Sequence, residues 1–303
     1  HQVLREAERV LIPEGRLVGK PMRLRDWQKR DIIKIYDNPH RTRRAIISFG
    51  KKNGKTSLAA CLLLAHLCGP EARPNSQLVS SAMSRDQAAI VFNLAAKIVR
   101  MSPDLDAVIT IRDSQKQLYC PDLGTLYKAL SAEAPTTHGI SPIFALHDEL
   151  GQVRGPRSEL FDAIETAMSA HADPLSIIIS TQAATDADLL STLIDDALAA
   201  HDPKTVISLY TADPNIDPFS EEAIRQANPA FGDFQNAEEV LNQANEARRM
   251  PSREASYRNL ILNQRVQLQA PFVSRSVWQA CSREVIEDLV GLPVYGGLDL
   301  SET

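Results

Sequence analysis

Short apolar runs alternate with helical patterns of apolar residues along the first 213 residues. Residues 45–49 (AIISF) form a short apolar run, as a buried strand would, and residues 57–67 then follow a helical pattern. That helical pattern is apolar on nearly every side, which predicts a helix buried within the core. A loop rich in glycine and lysine, residues 50–55, joins the two runs.

The same alternation continues almost to residue 213. The later predicted strands are 77–81, 141–149, 175–182 and 205–212, and the predicted helices are 56–68, 84–100, 157–170 and 186–200. Alternating strands and helices predict an α/β fold with a doubly wound, mostly parallel sheet that has helices on both faces. The strand-rich stretch 107–130 predicts antiparallel strands or a hairpin inserted at one edge.

The pattern changes after residue 213. Three prolines, Pro214, Pro218 and Pro229, punctuate a loop-rich stretch, and polar helical patterns follow at 236–249 and 252–265. We therefore predict a core domain over residues 1–213 and a small helical linker or lid subdomain over residues 214–290. The last segment, residues 291–303, reads as the first strand of another domain.

Composition narrows the class of protein. The 303 residues are 44% hydrophobic and 23% charged, which is typical of a packed soluble protein, and no apolar run approaches the roughly 20 residues of a membrane span. The four cysteines form no C-x-x-C pair, which favours a reducing cytosol and argues against a zinc site or a disulfide framework. The chain shows no signal peptide, and because it begins at His1 without a methionine, upstream residues are expected to be missing.

Charge is a weaker guide to partners. The net charge of −5 does not by itself indicate nucleic-acid binding. The first 44 residues are basic and residues 148–188 are acidic, a division that suits a DNA motor and ordinary solvated surfaces equally well.

The loop GKKNGKT, residues 50–56, is the first candidate for chemistry. A strand, a glycine and lysine loop and a helix that opens on a hydroxyl residue form the layout of a phosphate cradle. Lys55 would place a charge at the outer phosphates and Thr56 would hold Mg²⁺. Gly50 comes one residue later than the usual first glycine, whose position is taken by Phe49. The alternative interpretation is a lysine-rich surface turn.

A pair of acids supplies the second half of a nucleotide site. Asp148 and Glu149 follow the apolar run 143–146, at the carboxyl end of a predicted strand, which is where ligands bind in open α/β sheets. A carboxylate on a neighbouring strand commonly holds Mg²⁺, and a following glutamate orients the attacking water. A solvated acidic pair is the alternative, and His147 is interpreted as a packing residue rather than a base.

Two further motifs flank these. Ser180, Thr181 and Gln182 end the strand 175–182 and could sense the γ-phosphate, although strands often end in such residues. Upstream, Trp27 and Gln28 lie on a predicted amphipathic helix, where the glutamine could read adenine through one donated and one accepted hydrogen bond. An exposed polar helix residue is the alternative for Gln28.

Together these residues resemble the large terminase subunit of tailed bacteriophages, over nearly the whole chain. Its adenine motif looks like Trp27-Gln28, its Walker B acids look like Asp148 and Glu149, and its coupling motif looks like residues 180–182. Its deviant phosphate loop is similar to residues 50–56, and Lys51 or Lys52 stands where many members have arginine. The resemblance implies a P-loop NTPase core of the ASCE type. The nucleotide contacts that it implies fall on Gln28, Gly50, Lys51, Lys52, Asn53, Gly54, Lys55, Thr56, Ser57 and Thr181.

This resemblance implies an ATP-hydrolysing motor that moves double-stranded DNA into a procapsid, with ATP and Mg²⁺ as cofactors. Its expected partners are the portal protein, the small terminase subunit and further copies of the chain in a ring, in the cytoplasm of the infected host. Arg154 or Arg157, in a loop after the acids, could complete a neighbour's site, although a solvated helix-start arginine is an equal alternative. The rival functions are another translocase or helicase and a non-hydrolysing DNA-binding scaffold.

The segment VYGGLDLSET, residues 294–303, carries a single acid at Asp299. It resembles the first strand of the RNase H-like nuclease domain of terminases, which would make Asp299 a metal ligand. Because the carboxylates needed for two-metal cleavage are not in this chain, we expect an ATPase fragment that does not cut DNA. A longer parent would cut with Mg²⁺ or Mn²⁺, and a frayed tail is the alternative.

Overall fold

The computed structural model describes residues 2–15, 17–132 and 139–266. The α-helices are α1 Gln2–Glu8, α2 Asp26–Tyr36, α3 Lys55–Leu67, α4 Arg85–Met101, α5 Pro103–Asp106, α6 Glu159–Met168, α7 Leu189–Leu198, α8 Glu221–Ala227, α9 Ala237–Arg249 and α10 Pro251–Leu260. The strands are β1 Arg44–Ser48, β2 Gln77–Ala82, β3 Thr110–Arg112, β4 Gln117–Cys120, β5 Thr125–Ser131, β6 Pro142–Asp148, β7 Leu175–Ser180 and β8 Thr205–Leu209. No helix in these ranges is long and apolar enough to cross a lipid bilayer.

The strands form one mixed sheet in the order β3-β4-β5-β2-β6-β7-β1-β8. The six strands β5, β2, β6, β7, β1 and β8 run parallel to one another, while β4 is antiparallel to β3 and β5. The prediction of a mostly parallel sheet with antiparallel strands at one edge is therefore confirmed. Because β6, β7 and β1 are adjacent and parallel, the segments that follow them meet at the carboxyl ends of these strands.

Helices cover both faces of the sheet, as predicted. On β1, Ile47 belongs to the core beneath α3 and α4, whereas Ile46 packs with α7 on the opposite face. On β7, Ile178 shares the α7 face, and Ile177 and Ile179 share the α3 face. Side chains of a strand alternate between its two faces, so an unbroken β-branched run fits a strand that is covered on both sides.

Helix α3 is the most deeply buried element of the site's framework. Every residue from Leu58 to Leu67 is buried, which confirms the prediction from its apolar pattern. At its carboxyl end, the hydroxyl of Thr125 on β5 donates to the carbonyl of Leu67 at 2.5 Å. This bond satisfies one of the terminal carbonyls that a helix cannot pair internally.

Helices α8, α9 and α10 share a second, smaller hydrophobic cluster that includes Ile224, Val240 and Tyr257. We call residues 221–262 the helical segment. The sequence pattern did not predict α8, and its prediction of a helix over 252–265 was too long, since α10 ends at Leu260. After Leu260 the chain turns back over the sheet: Ile261 and Leu262 pack in the second hydrophobic cluster, and the polar residues from Asn263 on bond to groups that follow the strands.

The two outer strands of the described sheet differ in how they end it. Strand β3 is only three residues long, and Thr110 and Arg112 are exposed. Strand β8 lies at the other edge, where Nζ of Lys34 on α2 donates to the carbonyl of Ile207 at 3.4 Å. A short polar strand and a strand approached by a lysine are both poor templates for a further strand.

A cluster of charges ties α6 to the sheet. The Glu165 carboxylate lies 2.6 Å from Nη2 of Arg44 and 3.5 Å from Nε2 of His147. Burial acts to raise the pKa of Glu165, but His147, Arg44 and Ser176 together hold that pKa well below its ordinary value. His147 itself is buried, hydrogen-bonded to Ser81 and packed against Phe161, so it contributes to this internal framework.

We expect Glu165→Gln to lower the free energy of unfolding by about 3 kcal/mol at pH 7, the lower end of the range for removing one charge of a buried pair. The folded-state pKa lies below the unfolded value of about 4.3, so the contribution is complete above that value and is lost as the pH falls. Urea unfolding at pH 7 and pH 3 should therefore give a smaller difference at pH 3. Glu159→Gln, on the exposed start of the same helix, is the control and should change stability by less than about 0.5 kcal/mol. An equal loss at both pH values would contradict the argument.

Candidate functional site

The predicted phosphate loop starts on a platform of aromatic rings. Phe49 follows β1, and its ring packs edge-on against Trp27 and Tyr210, with ring centres 5.4 and 6.2 Å away. Phe49 has no exposed surface. The large residue at the usual first-glycine position therefore serves as an anchor that fixes where the loop leaves the sheet.

Gln28 lies one residue beyond Trp27, on α2, and is buried. Its Oε1 accepts the backbone N–H of Arg25 at 2.9 Å, which closes the first turn of that helix. The side-chain oxygen of Gln28, the residue predicted to contact adenine, is therefore already hydrogen-bonded at the start of its own helix. It does not line the cleft described below.

The loop's first backbone groups are bonded to the helical segment. The N–H of Gly50 donates to the carbonyl of Ala227 at 3.0 Å, and the N–H of Lys51 donates to that of Leu260 at 2.8 Å. A Cβ on Gly50 would come within 2.4 Å of Asn228 Oδ1 and 2.5 Å of the Ile261 carbonyl. Gly50 is thus required by the close approach of the helical segment, which explains a glycine one position later than the usual pattern.

Asn53 holds the loop from inside. Its Nδ2 donates to the Gly50 carbonyl at 3.0 Å and to Asn228 Oδ1 at 2.8 Å, and its Oδ1 accepts the Ala230 N–H at 3.0 Å. The side chain has no exposed surface. Asn53 was predicted to contact nucleotide, but its side chain points into the helical segment, so only its backbone is left for such a contact.

Gln235 completes what we call the amide bracket, namely Asn53, Asn228 and Gln235. Its Nε2 donates to the carbonyl of Lys51 at 2.8 Å and to Asn228 Oδ1 at 3.0 Å. Asn228 in turn donates to the carbonyls of Ile224 and Ile261, each at 2.8 Å. Three amides therefore satisfy buried backbone groups of the loop that would otherwise be costly to desolvate.

The Lys55 ammonium lies inside the loop. Its Nζ donates to the carbonyls of Phe49 at 3.0 Å and Gly50 at 3.3 Å, and it lies 3.7 Å from Oε1 of Glu149. Burial lowers the pKa of Lys55, while the charges of Glu149 and Asp148 oppose that change. Among the described residues Glu149 is the one carboxylate within 4 Å of this buried cation, so the ammonium is well placed to bind an additional anion.

The start of α3 offers backbone donors. Gly54 is its N-cap, with a left-handed φ of +78°, and has no side chain with which to cap the first turn. Thr56 and Ser57 follow in that first turn, and all three residues line the cleft. Uncapped N–H groups at the positive end of a helix dipole form an anion-binding site.

Asp148 and Glu149 end β6 opposite the loop. Burial raises the pKa of Asp148 to about 7, with the charge of Glu149 acting in the same direction and Lys55 opposing it. A cation beside Asp148 would stabilise the charged form of this buried carboxylate. Asp148 and the Thr56 hydroxyl line one cleft and offer the hard oxygen ligands that Mg²⁺ prefers, so the residues fit that ion.

Glu149 adopts a left-handed backbone conformation, with φ +53° and ψ +40°. Its N–H donates to the Ile179 carbonyl at 3.0 Å, and its Oε2 accepts from the hydroxyl of Thr181 at 3.4 Å. A non-glycine residue in this conformation costs free energy, so such strain is found where surrounding contacts impose it. Here Glu149 is held between Lys55 and Thr181.

Gly151, which sequence reasoning missed, allows the turn after Glu149 to lie against β7. A Cβ there would come within 2.3 Å of the Thr181 carbonyl, and the Gly151 N–H donates to Ser180 Oγ at 2.8 Å. The signal available in the sequence was a glycine two residues after the acids. Only the register of β6 beside β7 gives that glycine its meaning.

These groups surround a cleft of about 570 Å³, which is within the range of small-molecule sites. Eight predicted residues line it, namely Lys51, Lys52, Gly54, Lys55, Thr56, Ser57, Asp148 and Glu149. Its far wall was not predicted and comes from α4, with Gln87, Asn93 and Lys97. Gln87 donates to Gln152 Oε1 at 3.0 Å and so connects that wall to the turn after Glu149.

Other predicted residues lie away from the cleft lining. Arg154 is 58% exposed and lies 3.7 Å from Asp188, and Arg157 is 84% exposed and lies 3.2 Å from Asp162. Thr181 contacts the Glu149 carboxylate, and Gly50, the first residue of the loop, faces Asn228 and Ile261 of the helical segment. Asp299, and the whole predicted strand 291–303, lie outside the described residues.

Comparison with known proteins agrees with this arrangement. The family model for the terminase large subunit ATPase domain matches residues 26–198. The large terminase subunit of Enterobacteria phage HK97 is 53% identical over 291 residues, which cover 96% of this chain and 57% of that protein. The chain thus spans a little over half the length of this curated relative.

Solved structures extend the comparison to the fold. The crystal structure of the HK97 large terminase matches with a TM-score of 0.84 and 52% identity, over 92% of this chain and 58% of that one. A mutant ATPase domain of the Thermus phage P74-26 large terminase matches 84% of this chain and 100% of its own, with a TM-score of 0.52 and 16% identity, which shows a shared fold alone. The eight-stranded sheet is therefore of the P-loop ASCE type. The chain belongs to the terminase large subunit family, and residues 26–198 are its ATPase domain.

Proposed function

We propose that this chain hydrolyses ATP as part of a motor that moves double-stranded DNA into a viral procapsid. The observation that supports this most is the convergence of Lys55, Thr56, Asp148 and Glu149 on one cleft. Each of the four groups would have a part in phosphoryl transfer, and they come together because β1, which precedes the loop, and β6 flank β7 in the sheet.

ATP would enter against an existing ion pair. Lys55 lies 3.7 Å from Glu149, and both line the cleft. The β- and γ-phosphates would attract the ammonium and repel the carboxylate, while the N–H groups at the start of α3 receive the phosphate oxygens. Glu149 would then be released from Lys55 to orient a water molecule, and Thr181 would keep the carboxylate in place.

Thr56 and Asp148 would hold Mg²⁺ at the same cleft. The ion would neutralise charge that develops on the phosphate oxygens during transfer. Lys51 and Lys52 also line the cleft, and Lys52 has a left-handed φ of +68°, so this stretch of the loop turns sharply beside the site. We assign Gln28 to the adenine end of the nucleotide. Its Oε1 caps α2, so its Nε2 would make the contact.

The whole motor would need more than this chain. We propose double-stranded DNA, a portal protein, a small terminase subunit and a ring of identical chains as its partners, in the cytoplasm of the infected host. The division of the chain into a core (1–213), a linker (214–290) and the first nuclease strand (291–303) is also a proposal. So is the assignment of Asp299 as a metal ligand for DNA cleavage.

One experiment separates the proposed motor from its two rivals. ATPase activity is measured alone, with double-stranded DNA, and with DNA and procapsids that carry the portal. Stimulation by the portal and DNA supports the packaging motor. Strand unwinding on a forked duplex favours a helicase, and nucleotide binding without turnover favours a scaffold.

We expect Lys55→Ala and Glu149→Gln to fail at different steps. Removing the Lys55 ammonium should weaken ATP binding by about 10- to 100-fold, because a charge-assisted hydrogen bond contributes about 1.5–3 kcal/mol. Glu149→Gln should retain ATP but lower the hydrolysis rate by about 10²- to 10⁴-fold, since it removes the base that orients water. Nucleotide titration and steady-state kinetics measure the two effects.

Lys204→Ala is the matched control for Lys55→Ala. Lys204 is exposed and precedes β8, at the end of the sheet opposite the cleft. Its replacement should leave both binding and turnover unchanged. Hydrolysis at the parent rate by Glu149→Gln would show that the base has been assigned to the wrong residue.

Arg154 and Arg157 give a prediction about assembly, because both side chains reach into solvent rather than into their own cleft. If one of them completes a neighbour's site, its alanine variant should lose hydrolysis. Mixed rings of that variant with Lys55→Ala should then recover part of the activity, because some sites combine an intact lysine with an intact arginine. Normal hydrolysis by both arginine variants would remove these residues from the mechanism.

A further inference from the structure

A short segment after α10 crosses the carboxyl ends of three strands. We call residues 261–266 the strap. Its central residue, Asn263, has no exposed surface and a left-handed φ of +53°. Asparagine is one of the few residues that adopt this conformation at low cost.

The side-chain amide of Asn263 is fully used. Its Oδ1 accepts the backbone N–H of Gln182 at 2.7 Å. Its Nδ2 donates to Ser48 Oγ at 3.0 Å and to the Tyr210 carbonyl at 2.8 Å. One side chain therefore connects the ends of β7, β1 and β8.

Gln182 makes further hydrogen bonds with the strap and with α10. Its Nε2 donates to the backbone carbonyl of Asn263, and its Oε1 accepts from Nε of Arg265 at 3.2 Å. Asn259, near the end of α10, donates to the Gln182 carbonyl at 3.0 Å. Both the backbone and the side chain of Gln182 are thus held by α10 and the strap, and Gln182 is buried.

The next residue toward the cleft is Thr181, whose hydroxyl donates to Glu149 Oε2 at 3.4 Å. Its position depends on the peptide bond that it shares with Gln182. We propose that Asn263 is a positioning residue for ATP hydrolysis: by holding Gln182 it fixes Thr181 against the carboxylate of Glu149. This inference rests on the proposed ATPase function and assigns a role in it to the strap.

The hydrogen bonds of Asn263 should affect the turnover of ATP and not its binding. The phosphate loop is held by the amide bracket and by Ala227 and Leu260, and within the described part of the chain none of these is hydrogen-bonded to the Asn263 side chain. Loss of the Asn263 side chain should therefore leave the loop amides and Lys55 in place. The group that changes is Glu149, which acts in the transition state rather than in binding, so kcat should fall while KM for ATP stays nearly constant.

The test compares Asn263→Gly, Thr181→Val and the double variant in ATP hydrolysis. Glycine keeps the left-handed backbone and removes only the side-chain bonds. We expect Asn263→Gly to lower kcat about tenfold with KM within about twofold of the parent. Because both residues act through one contact with Glu149, the double variant should be no slower than the slower single variant.

Asn75→Gly is the matched control. Asn75 also has a left-handed φ, of +58°, but it is exposed and precedes β2, at the opposite end of the sheet from the cleft. Its kcat and KM should equal those of the parent. An unchanged kcat in Asn263→Gly, an effect on KM alone, or losses that multiply in the double variant would each overturn the proposal.

Two further measurements keep the result decisive. If Asn263→Gly does not fold, as judged by urea unfolding, Ser48→Ala takes its place, because it removes one of the side-chain bonds and should lower kcat about threefold. A parent protein that does not hydrolyse ATP, or one equalled by Glu149→Gln, would refute the proposed function instead. An active parent matched by the strap variants would refute only the role of Asn263.

Discussion

The structure depends on how the buried backbone groups of the phosphate loop are satisfied. The loop carries Phe49 where a glycine is usual, and it is shaped by the amide bracket and by carbonyls of Ala227 and Leu260 rather than by its own turn. Unpaired buried polar groups cost free energy, so the loop and the helical segment stabilise each other. The helical segment therefore supports the loop of the proposed nucleotide site, although none of its described residues lines the cleft.

The electrostatics of the cleft follow from the same construction. Lys55 and Asp148 are both largely buried, and burial disfavours the charged form of each: the pKa of Lys55 is lowered and that of Asp148 is raised to about 7. Two opposite charges that lack solvent attract an anion and a cation respectively. ATP bound with Mg²⁺ would supply both the anion and the cation. The charges of the cleft are therefore complementary to ATP and Mg²⁺ together rather than to ATP or Mg²⁺ alone.

Sequence reasoning found the parts of the site that obey local rules. The apolar pattern predicted the buried helix α3, and the acids at the end of β6 marked the end of that strand, because burial and strand ends leave clear signals. It did not predict where the Asn53 side chain points and missed Asn228, Gln235 and Gly151, because the role of each depends on contacts distant in sequence. A polar residue in a helix or loop gives no sign of which distant carbonyl it will bond.

The edges of the sheet have a consequence for association. Strand β3 is short and polar, and a carbonyl of β8 already accepts from Lys34, so neither edge invites a strand from a second chain. With these two edges of the described sheet, association with a second copy would use side chains and loops instead of shared backbone hydrogen bonds. Contacts of that kind can form and separate without unfolding, and they lack the continuous backbone ladder by which strands stack in cross-β fibrils.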